Sequence, residues 1–177
     1  MHLLVLQHAR AEHPGIFRQF LQEDGHSWDA VHLDEGEALP ALEGYDGLWV
    51  MGGPMDVWQE EAYPWLIAEK AFIQKAVEEK GLPFLGLCLG HQLLAEALGG
   101  SVGKSEIPEI GVCEVQLTDA GASGILCDGV PERMHCLQWH GAEIKTLPAG
   151  AKVLATSPDC AVQAMSWGPR AYSLQFH

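Results

Sequence analysis

A five-residue segment around Cys88 limits how this chain can fold more than any other feature. The stretch Gly86-Leu87-Cys88-Leu89-Gly90 joins an apolar run, residues 83–87, to a segment with helical spacing, residues 90–98. This is the pattern of a nucleophile elbow with cysteine in place of serine, in which a strand turns sharply into a helix. The residues two before and two after the bend crowd each other, so both must be small, and both are glycine. The segment predicts a strand–helix unit with a thiol at its apex.

The first half of the chain alternates between apolar runs and amphipathic segments. The apolar runs predict buried strands at residues 3–7, 30–33, 47–51 and 83–87. Helical spacing predicts helices at residues 14–22, 63–79 and 90–98. This alternation favours the α/β class, with an open, mostly parallel sheet and helices on both faces.

The second half contains strand-like segments without intervening helices, at residues 112–117, 153–156, 161–166 and 171–176. They indicate a mixed sheet or an added antiparallel section. No linker or repeat divides the chain, so we expect its 177 residues to form a single domain, residues 1–177.

The composition excludes two classes of partner. The formal net charge is −14, from 24 acidic and 10 basic side chains. A surface this negative repels nucleic acid and anionic membranes, so we expect neither as a partner. A small zwitterionic substrate stays compatible, because a pocket differs from the average surface.

The sequence also bears on the compartment and on cofactors. The N-terminal stretch MHLLVLQH lacks the basic and long apolar regions of a signal peptide, and no apolar run has the length of a membrane span. The five cysteines are an odd number without paired zinc-like spacing, so we expect no metal and a reducing, cytoplasmic location.

Cys88 is the leading candidate for a nucleophile. At a helix N-terminus the dipole favours the thiolate, and the backbone N–H of Leu89 would face an oxyanion that forms on the attacked carbonyl. The alternative is a buried core cysteine in a glycine-rich turn. The strand before Cys88 and the helix after it favour the catalytic interpretation.

A cysteine nucleophile needs a base, and nine histidines are available. His177 ends a strand-like segment, and ligands gather at the carboxyl ends of strands in open α/β sheets. Taken alone, His177 also fits a solvated terminal residue. His140, within Trp139-His140-Gly141, is a candidate for the substrate pocket or a polar loop residue, and His91 is a weaker candidate. The remaining histidines are interpreted as structural or surface residues: His2, His8, His13, His26, His32 and His135.

Glycines after the third predicted strand offer a second backbone N–H that could donate a hydrogen bond to an oxyanion. In Gly52-Gly53-Pro54 the backbone N–H groups can approach a ligand closely, as half of an oxyanion hole requires. An ordinary Gly-Pro turn is the alternative.

In this order, the motifs resemble the class I (triad) glutamine amidotransferase family. They are Gly52-Gly53-Pro54, then the Cys88 elbow followed by His91-Gln92, then Gln175-Phe176-His177. Pro108-Glu109-Ile110-Gly111 and Trp139-His140-Gly141 are similar to stand-alone, GMP-synthase-like members.

The resemblance implies a flavodoxin-like sheet and a glutaminase reaction without a cofactor. It implies that Cys88 is the nucleophile and His177 its base, and that the N–H groups of Gly53 and Leu89 form the oxyanion hole. Gln92 would help to hold glutamine, with His140 in the pocket. The ammonia would pass to a separate acceptor, such as a synthetase subunit.

Two departures from the family pattern keep other interpretations open. Members usually continue after the histidine with Pro and a Glu that orients the imidazole, whereas this sequence stops at His177, as a truncated chain would. Relatives also often carry an acidic residue directly after the glycine of His140-Gly141, where this chain has Ala142. The alternatives are a γ-glutamyl hydrolase or peptidase with the same Cys–His site and a catalytically silent binding domain. A related redox or chaperone-like family is disfavoured because Leu89, not His, follows Cys88.

Overall fold

The backbone forms one sheet of nine strands in a computed structural model that describes residues 1–177. The strands are β1 (His2–Gln7), β2 (Ser27–His32), β3 (Gly47–Val50), β4 (Phe84–Leu87), β5 (Ser101–Leu117), β6 (Arg133–Thr146), β7 (Ala151–Thr156), β8 (Ala164–Trp167) and β9 (Ala171–Leu174). The helices are α1 (Phe17–Glu23), α2 (Trp65–Gln74), which continues into a π-helical turn (Lys75–Glu79), α3 (Leu89–Ala97) and α4 (Asp119–Ala122). Single 3-10 turns lie at Leu33–Glu35 and Ile125–Cys127.

The sheet has two halves of different kinds. Its strand order is β2-β1-β3-β4-β9-β8-β7-β5-β6. The first five strands pair in parallel, and every pairing from β9 onward is antiparallel. The predicted α/β class is confirmed, and the antiparallel section lies where the second half of the sequence indicated it.

Helices cover both faces of the parallel half because alternate strand residues point to opposite faces. Leu48 and Val50 of β3 are fully buried in the main core, together with residues of α2 and α3. Trp49 points to the other face, where the ring of Phe17 from α1 meets it edge-on, with a centroid distance of 5.6 Å. None of the helices combines the length and apolar character that crossing a membrane requires.

The β5–β6 hairpin is the part of the fold that the sequence pattern missed. β5 begins eleven residues before the predicted strand, and β6 was not predicted at all. Pro108 reads as a turn signal, but it lies where the register shifts between Lys104 and Glu109, so its missing N–H breaks no ladder hydrogen bond. The interpretation of His140 as a polar loop residue is wrong, because it is a buried residue of β6.

The parallel strands bring separate motifs to one edge of the sheet. Parallel neighbours end at the same edge, so the segments that follow β1, β3, β4 and β9 meet there. These segments begin with His8, Met51, Cys88 and Gln175. The candidate reactive residues therefore come together although they are far apart in the sequence.

Candidate active site

The predicted elbow is present at Cys88. With φ 52° and ψ −102°, it is the one non-glycine residue of the chain with a positive φ. Its N–H donates to the Leu174 carbonyl at 2.8 Å, and its carbonyl accepts from the N–H groups of His91 and Gln92 at 3.1 and 3.2 Å. These bonds hold a conformation that costs on the order of 1–3 kcal/mol, the kind of strain that clusters at functional sites.

Close backbone packing explains the two glycines of the elbow. A Cβ on Gly86 would lie 2.5 Å from the carbonyl oxygen of Gly90, and a Cβ on Gly90 would lie 2.1 Å from that of Val50. Real Cβ contacts are never this short, so only glycine allows the strand, the bend and the helix to pack.

Cys88 lies where two cavities meet. One cavity, of about 370 Å³, is lined by Cys88, His177, Glu12 and Leu137, among others. The other, of about 290 Å³, is lined by residues that include Leu89, Gln92 and His140. Four residues line both cavities: Gly53, Pro54, Cys88 and Trp139.

The structure thus brings all six predicted site residues to one cleft. Cys88, His177 and Gly53 line its first cavity, and Leu89, Gln92 and His140 line the second beside Cys88 and Gly53. A substrate that spans both cavities passes directly over the sulfur.

The thiol is protonated in the resting site. Burial raises the pKa of Cys88 to about 12; the Glu12 carboxylate also raises it, and a hydrogen bond from the Leu89 N–H lowers it. The expectation that the helix N-terminus favours the thiolate is therefore wrong for this state, because the cost of desolvating the sulfur exceeds the gain from the N–H. Attack by Cys88 requires a base.

His177 lies on the same cavity as Cys88. Its backbone N–H donates to the Leu137 carbonyl at 2.8 Å, which ties the segment after β9 to β6. Its ring Cε1 lies 3.5 Å from the point that a Gly52 Cβ would occupy, and Glu12 Oε2 lies 2.5 Å from the same point. The imidazole and the carboxylate of Glu12 therefore lie close together over Gly52, and both residues line the cavity that Cys88 lines.

Gly53 and Leu89, which line a cavity together with Cys88, contribute backbone N–H groups to the cleft. The Leu89 N–H is directed at Cys88 Sγ, where it lowers the pKa of the thiol. The Gly53 N–H donates to no protein atom. A Cβ on Gly53 would approach Met55 Sδ, His8 Cβ and Leu89 Cδ2 at 2.7, 2.8 and 2.9 Å, so this position also has room for glycine alone.

A chain of buried amides connects α3 to the sulfur. Gln92 Nε2 donates to Gln175 Oε1 at 3.0 Å and to the Ala142 carbonyl at 3.2 Å. Gln175 Nε2 then approaches Cys88 Sγ at 3.7 Å. Gln92 is therefore linked to Cys88 through Gln175, a contact that the sequence motif did not indicate.

His140 supports the wall of the second cavity. Its Nδ1 lies 3.1 Å from the Ala142 carbonyl, and its Nε2 lies 3.0 Å from Glu109 Oε2. Both side chains of this pair are nearly fully buried. The pair fixes the backbone at Gly141 and Ala142, which line the cavity beside Gln92.

Glu109, His140 and Cys160 are the side chains that could hold a metal ion, since their ligand atoms lie within 4.8 Å of one another. These atoms already have protein partners. Glu109 Oε2 also accepts from Gln163 Nε2 at 2.6 Å, and Cys160 Sγ donates to the Val162 carbonyl at 3.6 Å. Burial raises the pKa of Cys160 to about 12, so this thiol is protonated. The cluster is a hydrogen-bonded support for His140.

Sequence reasoning missed two lining residues and one buried pair. Glu12 and Trp139 both line the cavity that contains His177. His8, interpreted as structural or surface, is buried and contacts Glu69 and Gly52. His8 and Glu12 follow the carboxyl end of β1, and that position was the available signal.

Fold and site together define an α/β protein with a cysteine at a strand-to-helix elbow, and with a histidine and a glycine-rich loop that line the same cavity. The family model for class-I glutamine amidotransferases matches residues 17–177. The chain belongs to the class I glutamine amidotransferase family.

Similar proteins fall in the same family. The chain is 39% identical over 152 residues to a glutamine-hydrolyzing GMP synthase of Aeropyrum pernix, a match that covers 84% of this chain and 26% of the relative. It is 31% identical to a glutamine-hydrolyzing GMP synthase subunit of Sulfolobus acidocaldarius, covering 84% of this chain and 75% of the relative. A crystal structure of a glutamine amidotransferase from Thermotoga maritima superposes with a TM-score of 0.92 at 34% identity, over 100% of this chain and 75% of that one. The chain thus spans about a quarter of the length of the Aeropyrum relative.

Proposed function

We propose that this protein hydrolyses the side-chain amide of glutamine through a γ-glutamyl thioester on Cys88. The observation that carries the proposal is the strained elbow at Cys88, whose sulfur lies on one cavity with His177 and Gly53. Acyl transfer needs a nucleophile, a base and hydrogen-bond donors for the oxyanion. The thiol of Cys88, the imidazole of His177 and the backbone N–H groups of Gly53 and Leu89 can fill these roles.

In the first half of the reaction, His177 removes the thiol proton as the sulfur attacks the amide carbon. The N–H groups of Gly53 and Leu89 hold the resulting oxyanion, and each such donor contributes roughly 3 kcal/mol. His177 then gives its proton to the leaving nitrogen. The C–N bond breaks, ammonia departs and the thioester remains.

In the second half, His177 removes a proton from water, which attacks the thioester carbon. The same donors hold the second oxyanion. The C–S bond breaks, the sulfur recovers the proton from His177, and glutamate leaves. The reaction needs no metal or organic cofactor.

Glutamine binds in the second cavity, with Gln92 and the backbone at Gly141 and Ala142 around its amino-acid end. Two hydrogen-bonded groups behind this wall support the proposal, the Gln92–Gln175 amide chain and the buried His140–Glu109 pair. Both limit the movement of the wall, so the substrate carbonyl can be held over the sulfur.

The decisive experiment replaces Cys88 with alanine. Glutamine hydrolysis falls by at least about 10⁴-fold, as loss of a covalent nucleophile does, while the unfolding midpoint stays near that of the wild type. The matched control is Cys113→Ser, a cysteine of β5 outside the cleft, which leaves turnover unchanged. Wild-type-like turnover in the Cys88→Ala variant would refute the proposal.

A second reaction uses the same site on a larger γ-glutamyl amide. The cavity beside His177 has a volume of about 370 Å³ and is lined by Glu12 and Trp139, which is more space than an ammonia molecule needs. A screen of N-alkyl γ-glutamyl amides, read by release of amine, separates the two reactions. Higher kcat/KM for a substituted amide than for glutamine would favour this second function.

We further propose that the ammonia goes to a separate synthetase. Four apolar side chains on the outer face of the β5–β6 hairpin are exposed beside the cleft: Ile110, Val112, Leu137 and Trp139. Exposed apolar patches of this kind mark protein interfaces. The test uses a synthetase subunit of the GMP-synthase type: the double variant I110K/V112K keeps basal hydrolysis but loses its stimulation by the synthetase, and unchanged stimulation would contradict this interface.

A further inference from the structure

A fully buried pair of ionisable side chains lies behind the glycine loop of the cleft. His8, directly after β1, and Glu69, on α2, both have side chains with no solvent exposure, and Nε2 of the histidine lies 2.8 Å from Oε1 of the glutamate. The other ring nitrogen, Nδ1, lies 2.9 Å from the Gly52 carbonyl oxygen. Trp65 stacks on the ring at a centroid distance of 5.4 Å and an interplanar angle of 13°, so the imidazole has one fixed orientation.

Both ring nitrogens donate a proton in this arrangement. The partners are a carbonyl oxygen and a carboxylate oxygen, which can only accept. Burial alone would lower the pKa of His8, but the charge and hydrogen bond of Glu69, with the hydrogen bond to Gly52, raise it above its ordinary value. The direction of this shift favours the imidazolium form of His8, in which both ring nitrogens carry a proton.

Burying this pair costs folding free energy. Glu69 Oε2 is buried without a hydrogen-bond partner. A buried ion pair gains less than it loses by desolvation unless its remaining polar atoms are satisfied, and apolar residues of similar size often stabilise a fold as well or better. Stability is therefore a poor explanation for this pair, and the hydrogen bond from His8 to the glycine loop gives a better one.

The geometry of the peptide bond connects His8 to the sulfur. The Gly52 carbonyl and the Gly53 N–H belong to one peptide group, and no peptide bond of the chain is cis. In a planar trans peptide these two groups point in opposite directions. When His8 holds the carbonyl, the Gly53 N–H must point away from His8, and it meets no protein acceptor there.

We propose that His8, held by Glu69 and Trp65, is a positioning residue that fixes and polarises the Gly52–Gly53 peptide so that the Gly53 N–H serves as an oxyanion donor. This inference rests on the proposed glutaminase reaction. A cationic donor on the carbonyl also strengthens the N–H at the other end of the same peptide. α2, which contributes no atom to the cleft wall, thereby controls the donor through one imidazole.

The experiment compares two double variants that differ in where the new donor lies. In His8→Asn, the side-chain Nδ2 occupies the place of Nδ1 and still reaches the Gly52 carbonyl; in His8→Gln, the donor lies one atom farther along. Each is combined with Glu69→Gln, which removes the carboxylate that would otherwise be buried without a cation. Turnover is expressed per active site, titrated with an electrophilic glutamine analogue that alkylates Cys88.

We expect H8N/E69Q to keep kcat within about fivefold of the wild type and H8Q/E69Q to lose about 100-fold, the cost of one misplaced oxyanion donor. KM changes by less than about threefold in both, because the donor acts on the transition state. Equal kcat values for the two double variants would overturn the proposal.

A control variant at a second buried histidine distinguishes an effect on the glycine loop from a general effect of looser core packing. His91 on α3 is also fully buried, with Nδ1 2.8 Å from Ser173 Oγ and Nε2 3.1 Å from the Val162 carbonyl. His91→Gln is expected to lower the unfolding midpoint but to change kcat per titrated site by less than about threefold. A loss as large as that of H8Q/E69Q would mean that any loosening of the core lowers turnover, and would also overturn the proposal.

Crystal structures of the two double variants decide the question independently of activity. The Gly52 carbonyl is expected to stay against residue 8 in H8N/E69Q and to turn away in H8Q/E69Q. An unmoved peptide in H8Q/E69Q contradicts the role of His8, whatever the protein hydrolyses. A wild-type protein that turns over no glutamine, with the peptide moving as expected, would contradict the proposed function alone.

Discussion

The parallel and antiparallel halves of the sheet contribute different things to the cleft. The parallel half contributes the atoms proposed to react, from loops that leave buried strands: Cys88 after β4, Gly53 after β3 and His177 after β9. The antiparallel half contributes walls, through Leu137, Trp139, His140, Gly141 and Ala142 of β6. The first group follows β3, β4 and β9, which have no exposed residue, whereas β6 alternates between buried and exposed side chains.

This difference shows how one sheet combines precision with variation. The reacting atoms must stay within a fraction of an ångström of their geometry, which requires close packing on every side. A wall that determines which substrate enters must be able to change between relatives, and a strand at the edge of the sheet can change with little cost to the core. The expected effects of substitution follow the same division.

The largest contrast is in stability, between a glycine of each half. Gly90→Ala would place a Cβ 2.1 Å from the Val50 carbonyl oxygen, whereas Gly141→Ala meets no atom within 4 Å. We expect Gly90→Ala to lower the free energy of unfolding by about 3 kcal/mol or more, and Gly141→Ala to change it by less than about 0.5 kcal/mol. Urea unfolding measures both, and comparable losses would break the comparison.

Cysteines of the two halves make the protein less stable at alkaline pH. Burial raises the pKa values of Cys88 and Cys160 from 9.0 to about 12 in the folded protein. A raised pKa stabilises the fold fully below about pH 9, and this contribution is lost as the pH rises towards 12. Each thiol adds a slope of up to about 1.4 kcal/mol per pH unit.

Serine substitutions test this slope. Cys88→Ser and Cys160→Ser should each make the free energy of unfolding fall less steeply than in the wild type between pH 9 and 10.5. Groups that titrate in all three proteins cancel in the comparison. A slope equal to that of the wild type would show that the thiol concerned is not buried as the structure has it.

The walls should affect binding more than turnover. His140→Gln loosens the backbone at Ala142, so we expect KM for glutamine to rise about tenfold, or about 1.4 kcal/mol, while kcat stays within about threefold. His135→Ala, an exposed position on the same strand, is the control and should leave both constants unchanged. If His140→Gln lowers kcat and leaves KM alone, the division of roles between the two halves fails.

The smallest expected effect concerns the charge beside the sulfur. The Glu12 carboxylate raises the pKa of Cys88, so Glu12→Gln should lower it and increase the thiolate fraction. We expect alkylation of Cys88 by iodoacetamide at pH 8 to accelerate about threefold, with the rate read by peptide mass spectrometry. Glu23→Gln, on exposed α1, serves as the control. Slower alkylation in Glu12→Gln would mean that the carboxylate activates the thiol instead.

The local features of the parallel half could be predicted because each lies in a short stretch of sequence. An apolar run, a Gly-x-Cys-x-Gly turn and a helical segment specify the elbow at Cys88 from within about fifteen residues, with reasons of sterics alone. Strands that alternate with helices then specify the class of fold. The order of three motifs was enough to indicate the family.

The β5–β6 hairpin could not be predicted because its local sequence signals disagree with its structure. Its strands carry apolar side chains such as Val112 and Trp139 on the exposed face, and glycine and proline within their length. Glycine and proline normally mark turns, and apolar side chains on both faces hide the alternation that marks a half-buried strand. Only the pairing with a distant strand determined that the segments are extended.

By itself, the sequence determined the elbow, the α/β class and the identity of the candidate nucleophile. The tertiary structure alone decided that the Cys88 thiol is protonated, that Glu12 faces His177 and that His8 and Glu69 lie behind Gly52. The physical reason is that a pKa, a cavity and a hydrogen bond between residues 61 positions apart all depend on where the packed chain excludes water. That exclusion is a property of the packed fold, and no local pattern of residues contains it.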